Sequence, residues 1–161
     1  MIRLRIYPIL LLAFFCAALP SACEIPLTVR MDRKLSDAQM AEQLYELAQK
    51  ENQALQWDDC LGTAASKRAK QLVDDGYFDS SDPKTGKNPV WNAVRGCVPD
   101  ERKESKVPAA ESLSNGVDTP AHVHGSFMKS PDTRKNILDP RFNHIGVGCY
   151  HHICVELFAG F

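Results

Sequence analysis

"HIGVGCYHHICVELFAG", residues 144–160, holds the reading that decides the fold. Ile145, Val147 and Cys149 alternate with Gly146 and Gly148, the two-residue period of a strand. From Ile153 the chain reads as a continuous apolar run to Phe161. The two runs predict a hairpin whose sheet is covered on both faces. The two glycines would let a covering helix approach closely. Cys149 and Cys154 flank "YHHI", which reads as a four-residue loop and favours a disulfide between them.

Working back from the hairpin, the chain alternates helix signals with turns. Ser36 followed by Gln39 has the spacing of a capping box, and Met40, Leu44 and Leu47 keep helical spacing behind it. Residues 56–76, "QWDDCLGTAASKRAKQLVDDG", predict a second helix with Leu61, Ala65, Ala69, Leu72 and Val73 on one face and Gly76 as its stop. "YFDSSDPKTGKNP" is a loop by composition, and "VWNAV" suggests a helical turn. Residues 98–108 are polar, charged and expected to be exposed. Thr119-Pro120 opens a helix, with Thr as cap and Pro in the first turn. Val123, Phe127 and Met128 should face its core side. Ser130-Pro131 repeats the start signal, and Asp139-Pro140 ends it. Helices around a small central sheet make an α/β fold, an α-β-α sandwich.

The chain has 161 residues, 19 Lys and Arg against 20 Asp and Glu, and six cysteines. Arg3 and Arg5 precede an apolar run from Ile9 to Ala18, and small residues follow at Ser21 and Ala22. This predicts a secretory signal over residues 1–23, too short an apolar run for a membrane span. A tether over 24–35 and one domain over 36–161 would follow. "LPSAC" also fits a lipoprotein signal with Cys23 as the acylated residue, although Pro20 stands where leucine is preferred. Loss of the leader removes two arginines and no acid. The remainder is then slightly acidic, which argues against nucleic acid as a partner and leaves a lipid anchor as the route to a membrane. In an oxidising compartment, Cys60, Cys97, Cys149 and Cys154 make an even set. With Cys149 assigned to Cys154, Cys60 falls to Cys97. A zinc site is the weaker alternative, because the chain has no CxxC pair.

"LQWDDCLGTAASKRAKQL", "GYFDSSDP", "AESLSNG", "FMKSPDTRKNIL" and "FNHIGVGCY" occur in an order that resembles the CAP superfamily of cysteine-rich secretory, antigen 5 and pathogenesis-related-1 proteins, and most closely its bacterial branch. The resemblance spans residues 38–158 and implies the α-β-α sandwich of that family. It also implies a cleft with two histidines and acidic residues that in many members hold a divalent metal. This chain departs from that pattern. Ser80 stands where "FxH" has its histidine. Glu111 keeps the acid of "GEN", but Ser112 replaces the asparagine. Thr133 stands where "SPGHR" has its histidine.

Serine and threonine hydroxyls neither bind zinc tightly nor take a proton near neutral pH without an adjacent base. One glutamate falls short of the three or four ligands of a zinc site. No metal, cofactor or catalytic residue is therefore expected, and Ser80, Glu111, Thr133 and His124 remain as cleft candidates. Glu111 either anchors a ligand, caps the next turn or pairs with Arg134. His122 and His124 lie two apart on a helix and point away from each other, and His124 reads as a buried, hydrogen-bonded histidine. His144 reads as a fold residue, His151 and His152 as solvated loop residues, and Arg134-Lys135 as charges complementing a helix C-terminus. The resemblance makes Trp57 a core residue, and Trp91 reads either as core or, before a variable loop, as lining a binding surface, with core packing the favoured role. A serine hydrolase finds no G-x-S-x-G elbow. The resulting expectation is a non-catalytic binding module, secreted or at the cell envelope, whose ligand is a lipid, a wall polymer or a protein. The alternative is a metal-dependent or hydrolytic enzyme with a rearranged cleft.

Overall fold

The computed structural model describes residues 34–103, 105–116 and 119–161. The leader, Cys23 and nearly all of the tether lie outside the described residues. Among these residues, five α-helices and four strands follow in the order α1 (Asp37–Glu51), β1 (Gln56–Trp57), α2 (Asp59–Asp75), α3 (Val90–Arg95), β2 (Ala109–Asn115), α4 (Pro120–Lys129), α5 (Pro131–Leu138), β3 (His144–Tyr150) and β4 (Ile153–Ala159), with a short 3-10 turn (Asp100–Arg102) between α3 and β2. The sheet runs β1-β3-β4-β2, with β3 and β2 antiparallel to β4 and β1 parallel to β3.

The helices begin where side chains satisfy their first backbone N–H groups. Gln39 N–H donates to Ser36 Oγ at 3.2 Å while Ser36 N–H donates to Gln39 Oε1 at 3.0 Å, the reciprocal capping box. Thr119 Oγ1 accepts from His122 N–H at 3.3 Å, with Pro120 in the first turn. Ser130 occupies the same position before α5 without a side-chain cap. Gly76 closes α2 at φ 68, a left-handed conformation that glycine adopts without strain.

Two layers of side chains sandwich the sheet. On one face, Leu44 and Ala48 of α1, Val123 and Phe127 of α4 and Ile137 of α5 pack on Ile145, Val147 and Phe158. On the other, Leu61, Ala65, Ala69 and Leu72 of α2 with Val90 and Val94 of α3 pack on Val155 and Leu157. Gly146 and Gly148 point at α2. A Cβ at Gly146 would come within 2.1 Å of the Gly62 nitrogen, and one at Gly148 within 2.1 Å of the Ser66 nitrogen. Both disulfides form as expected, Cys60–Cys97 tying the start of α2 to the end of α3 and Cys149–Cys154 bridging paired residues of the hairpin.

Several expectations need correction. The second helix starts at Asp59 rather than Gln56. Gln56 N–H and Asp58 N–H donate instead to Asn143 O and Ile145 O, and the Asp58 carboxylate caps α2 through Leu61 N–H at 2.8 Å. The hairpin loop has two residues, His151 and His152, because Tyr150 pairs with Ile153. Residues 98–108 are mostly exposed but anchored by buried Val98 and Val107. Trp57 and Trp91 are both surface residues, 38% and 40% exposed, rather than core.

Candidate functional site

The site is built around an arginine on an apolar stripe. Arg68 lies among Leu61, Ala65, Ala69 and Leu72 on the buried face of α2, and only 5% of it is exposed. Its guanidinium therefore needs partners for its donors. Nε donates to Glu111 Oε1 at 3.1 Å. Nη1 donates to the Tyr77 hydroxyl at 2.7 Å and to Gln71 Oε1 at 3.3 Å. Nη2 donates to the Asp79 carbonyl at 2.8 Å. One side chain thus fastens the loop after α2 to strand β2.

Glu111 reaches this pair because β2 alternates. Glu111, opposite Leu157, faces α2, while Ser112, opposite Glu156, faces the other helices. The Glu111 side chain is 2% exposed, and its Oε2 has no hydrogen-bond partner. Burial pushes its pKa above the usual carboxylate value, against the opposing pull of Arg68 and the Ser80 hydroxyl. Ser80 stands beside the carboxylate without completing a well-aligned hydrogen bond to it. Asn136 of α5 donates to the Glu111 carbonyl at 3.1 Å and to Ser112 Oγ at 3.3 Å, holding α5 to β2.

Of the cleft candidates, the structure thus brings Ser80 and Glu111 together. The other two are engaged elsewhere. Thr133 Oγ1 donates to the Phe127 carbonyl at 2.6 Å, fastening the first turn of α5 to the end of α4. His124 is buried as expected, but neither ring nitrogen has a partner at hydrogen-bond distance: Glu51 Oε1 stands 3.7 Å from Nε2, an ion-pair separation. Burial lowers its pKa more than Glu51 raises it. Glu111 pairs with Arg68 and not with Arg134, which is exposed on α5. Arg68 escaped the sequence reading, although its position three residues after Ala65 and four before Leu72 put a charge on a buried stripe.

Two hollows flank Glu111. One, of about 350 Å³, has Lys67, Gln71, Val90, Ala93 and the Cys60–Cys97 disulfide in its wall. The other, of about 700 Å³, opens past Trp91, Lys106 and Arg141. Asp58 lies close to Cys60 and Cys97, but both sulfurs are in the disulfide and are not thiolate ligands. The arrangement is a buried, charge-paired carboxylate between two recesses, with its second oxygen shielded from solvent and without a hydrogen-bond partner.

The family model of the cysteine-rich secretory proteins, CAP, matches residues 28–154. The chain belongs to the CAP family. The uncharacterized protein YkwD of Bacillus subtilis (strain 168) is 35% identical over 94 residues, 58% of this chain and 34% of that protein. This CAP chain therefore spans about a third of that relative's length. An extracellular SCP-domain protein from Bacillus anthracis str. Ames superposes with a TM-score of 0.62 at 20% identity, over 76% of this chain and 40% of that one. An outer surface protein from Borrelia burgdorferi gives 0.59 at 19% identity, over 79% and 96%. These structures share the sandwich. They are extracellular or surface proteins, and no helix among the described residues of this CAP chain is long and apolar enough to cross a membrane.

Proposed function

We propose that this CAP chain is a non-catalytic binding module acting outside the cell or at its envelope, exported by its first 23 residues and in some settings held there through Cys23. The observation that carries the reading is the commitment of Glu111 to Arg68. A carboxylate that neutralises a buried guanidinium is a poor metal ligand, and its neighbour Ser80 is a hydroxyl where the family pattern has an imidazole. Thr133, at the second such position, spends its hydroxyl on a helix carbonyl. The two recesses beside Glu111, rather than its buried carboxylate, are the surfaces left for a ligand. The surface and extracellular proteins that share the fold support the location.

The test is calorimetric titration of the exported domain with Zn²⁺, alongside Glu111→Gln and Glu111→Ala. Glu111→Gln keeps a neutral partner for Arg68 should the alanine variant unfold. No saturable zinc binding at micromolar protein is the expected result. A single tight site that vanishes in both variants would overturn the reading in favour of a metal-dependent enzyme.

A further inference from the structure

Away from Glu111, a groove of about 850 Å³ runs between α1 and α2, lined by Ala41, Glu42 and Tyr45 on one side and Trp57, Asp59 and Lys67 on the other. Trp57 is more than a third exposed, yet it is held at three points. Its indole N–H donates to Asp59 Oδ1 at 2.7 Å. The Tyr45 ring meets it edge-on, centroids 5.4 Å apart and planes at 67°. Beneath it lies Gly62, where a Cβ would come within 2.7 Å of Cζ2. The ring is thus fixed without being buried, which a core role does not require.

The surroundings give this ring a chemistry. A carboxylate accepting the indole N–H adds electron density to the ring, and an electron-rich aromatic face attracts cations. Two exposed carboxylates, Asp59 and Glu42, line the same groove. Tryptophan and tyrosine meeting at a wide angle, with acids at the rim, is the surface that receives an alkylated ammonium, whose methyl groups pack on the rings while its charge faces the π-clouds. Lys67, on the groove's α2 side, suits an anionic group attached to that ammonium.

We propose that the groove binds a trimethylammonium group bearing a nearby phosphate, the chemistry of phosphocholine, whether free or as a lipid headgroup. This deepens the binding-module reading but does not use Glu111, Arg68 or Ser80, and of the residues named here only Lys67 also borders the smaller hollow beside Glu111, so its failure leaves the zinc experiment untouched.

Calorimetric titration of the full exported chain with phosphocholine, choline and 3,3-dimethylbutanol, the neutral isostere of choline, tests it. Phosphocholine should bind about tenfold more tightly than the neutral alcohol. Trp57→Leu should remove that preference, and Trp91→Leu should leave it. Glu42→Gln, at an exposed helix position, should weaken binding by about threefold while folding normally. Equal binding of the alcohol and choline, or binding indifferent to both Trp57→Leu and Glu42→Gln, would overturn the proposal, as would no saturable heat with phosphocholine. Sedimentation with phosphatidylcholine vesicles, reversed by phosphocholine, would place the group on a lipid. Solution binding without sedimentation would place it on a soluble molecule.

Discussion

Glu156 shows what one residue can hide. It sits in the middle of β4 between Ser112 and Val147, fully buried, with neither carboxylate oxygen hydrogen-bonded. Burial raises its pKa from 4.5 to about 8, so the folded chain keeps a proton that the unfolded chain has lost. The sign follows from linkage. Its stabilising contribution is complete below about pH 4.5 and is lost as pH climbs to about 8. Glu156→Gln removes the titration, and its gain over the parent should grow between pH 5 and pH 8 by about 3 kcal/mol. Urea denaturation at both pH values measures this, and an equal difference at both would show that Glu156 is not protonated in the fold. The sequence concealed the residue because one acid inside an apolar strand has no period of its own. Arg68 also escaped the reading, although a charge interrupting an otherwise apolar helical stripe was a signal that could have found it. The departures at Ser80 and Thr133 were read directly from the motifs, but the partner of Glu111 was not, because it depends on how α2 lies over β2.

Elements were legible where their ends carry chemistry. The Ser36–Gln39 box, the Thr119-Pro120 start and the Gly76 stop are local signals, and each appears where expected. Strand β1 was not legible, because two residues carry no period and Gln56–Trp57 is defined by its partner, residues 144–145. The closest helix–sheet contact is that of α2 on β3, and it turns on two glycines. Gly148→Ala would push a methyl into the backbone at Ser66 and should cost about 3 kcal/mol. Gly125, inside α4, has nothing within 4 Å of a Cβ, and alanine there should stabilise by up to about 1 kcal/mol. Chemical denaturation of the pair checks both, and similar midpoints for the two variants would contradict the packing described for α2.

At the scale of the whole molecule, the sandwich followed from a hairpin covered on both faces and helices at its flanks. The layering was therefore readable before the topology. The parallel pairing of β1 was not, since it joins segments nearly ninety positions apart. The two disulfides act on unequal spans, 37 residues for Cys60–Cys97 and 5 for Cys149–Cys154. If they act by restricting the unfolded chain, Cys60→Ser with Cys97→Ser should cost about 4 kcal/mol, and Cys149→Ser with Cys154→Ser about 2 kcal/mol. Guanidinium midpoints of the two double variants decide the order, and a reversed order would point to folded-state contacts rather than chain entropy.

The shorter bridge has a further effect, through its position immediately behind an exposed pair of histidines. Should an extracellular protease sever the bond between His151 and His152, the two arms of the hairpin would stay covalently attached through their sulfurs. Damage at this exposed turn would then release no fragment until a reductant arrived.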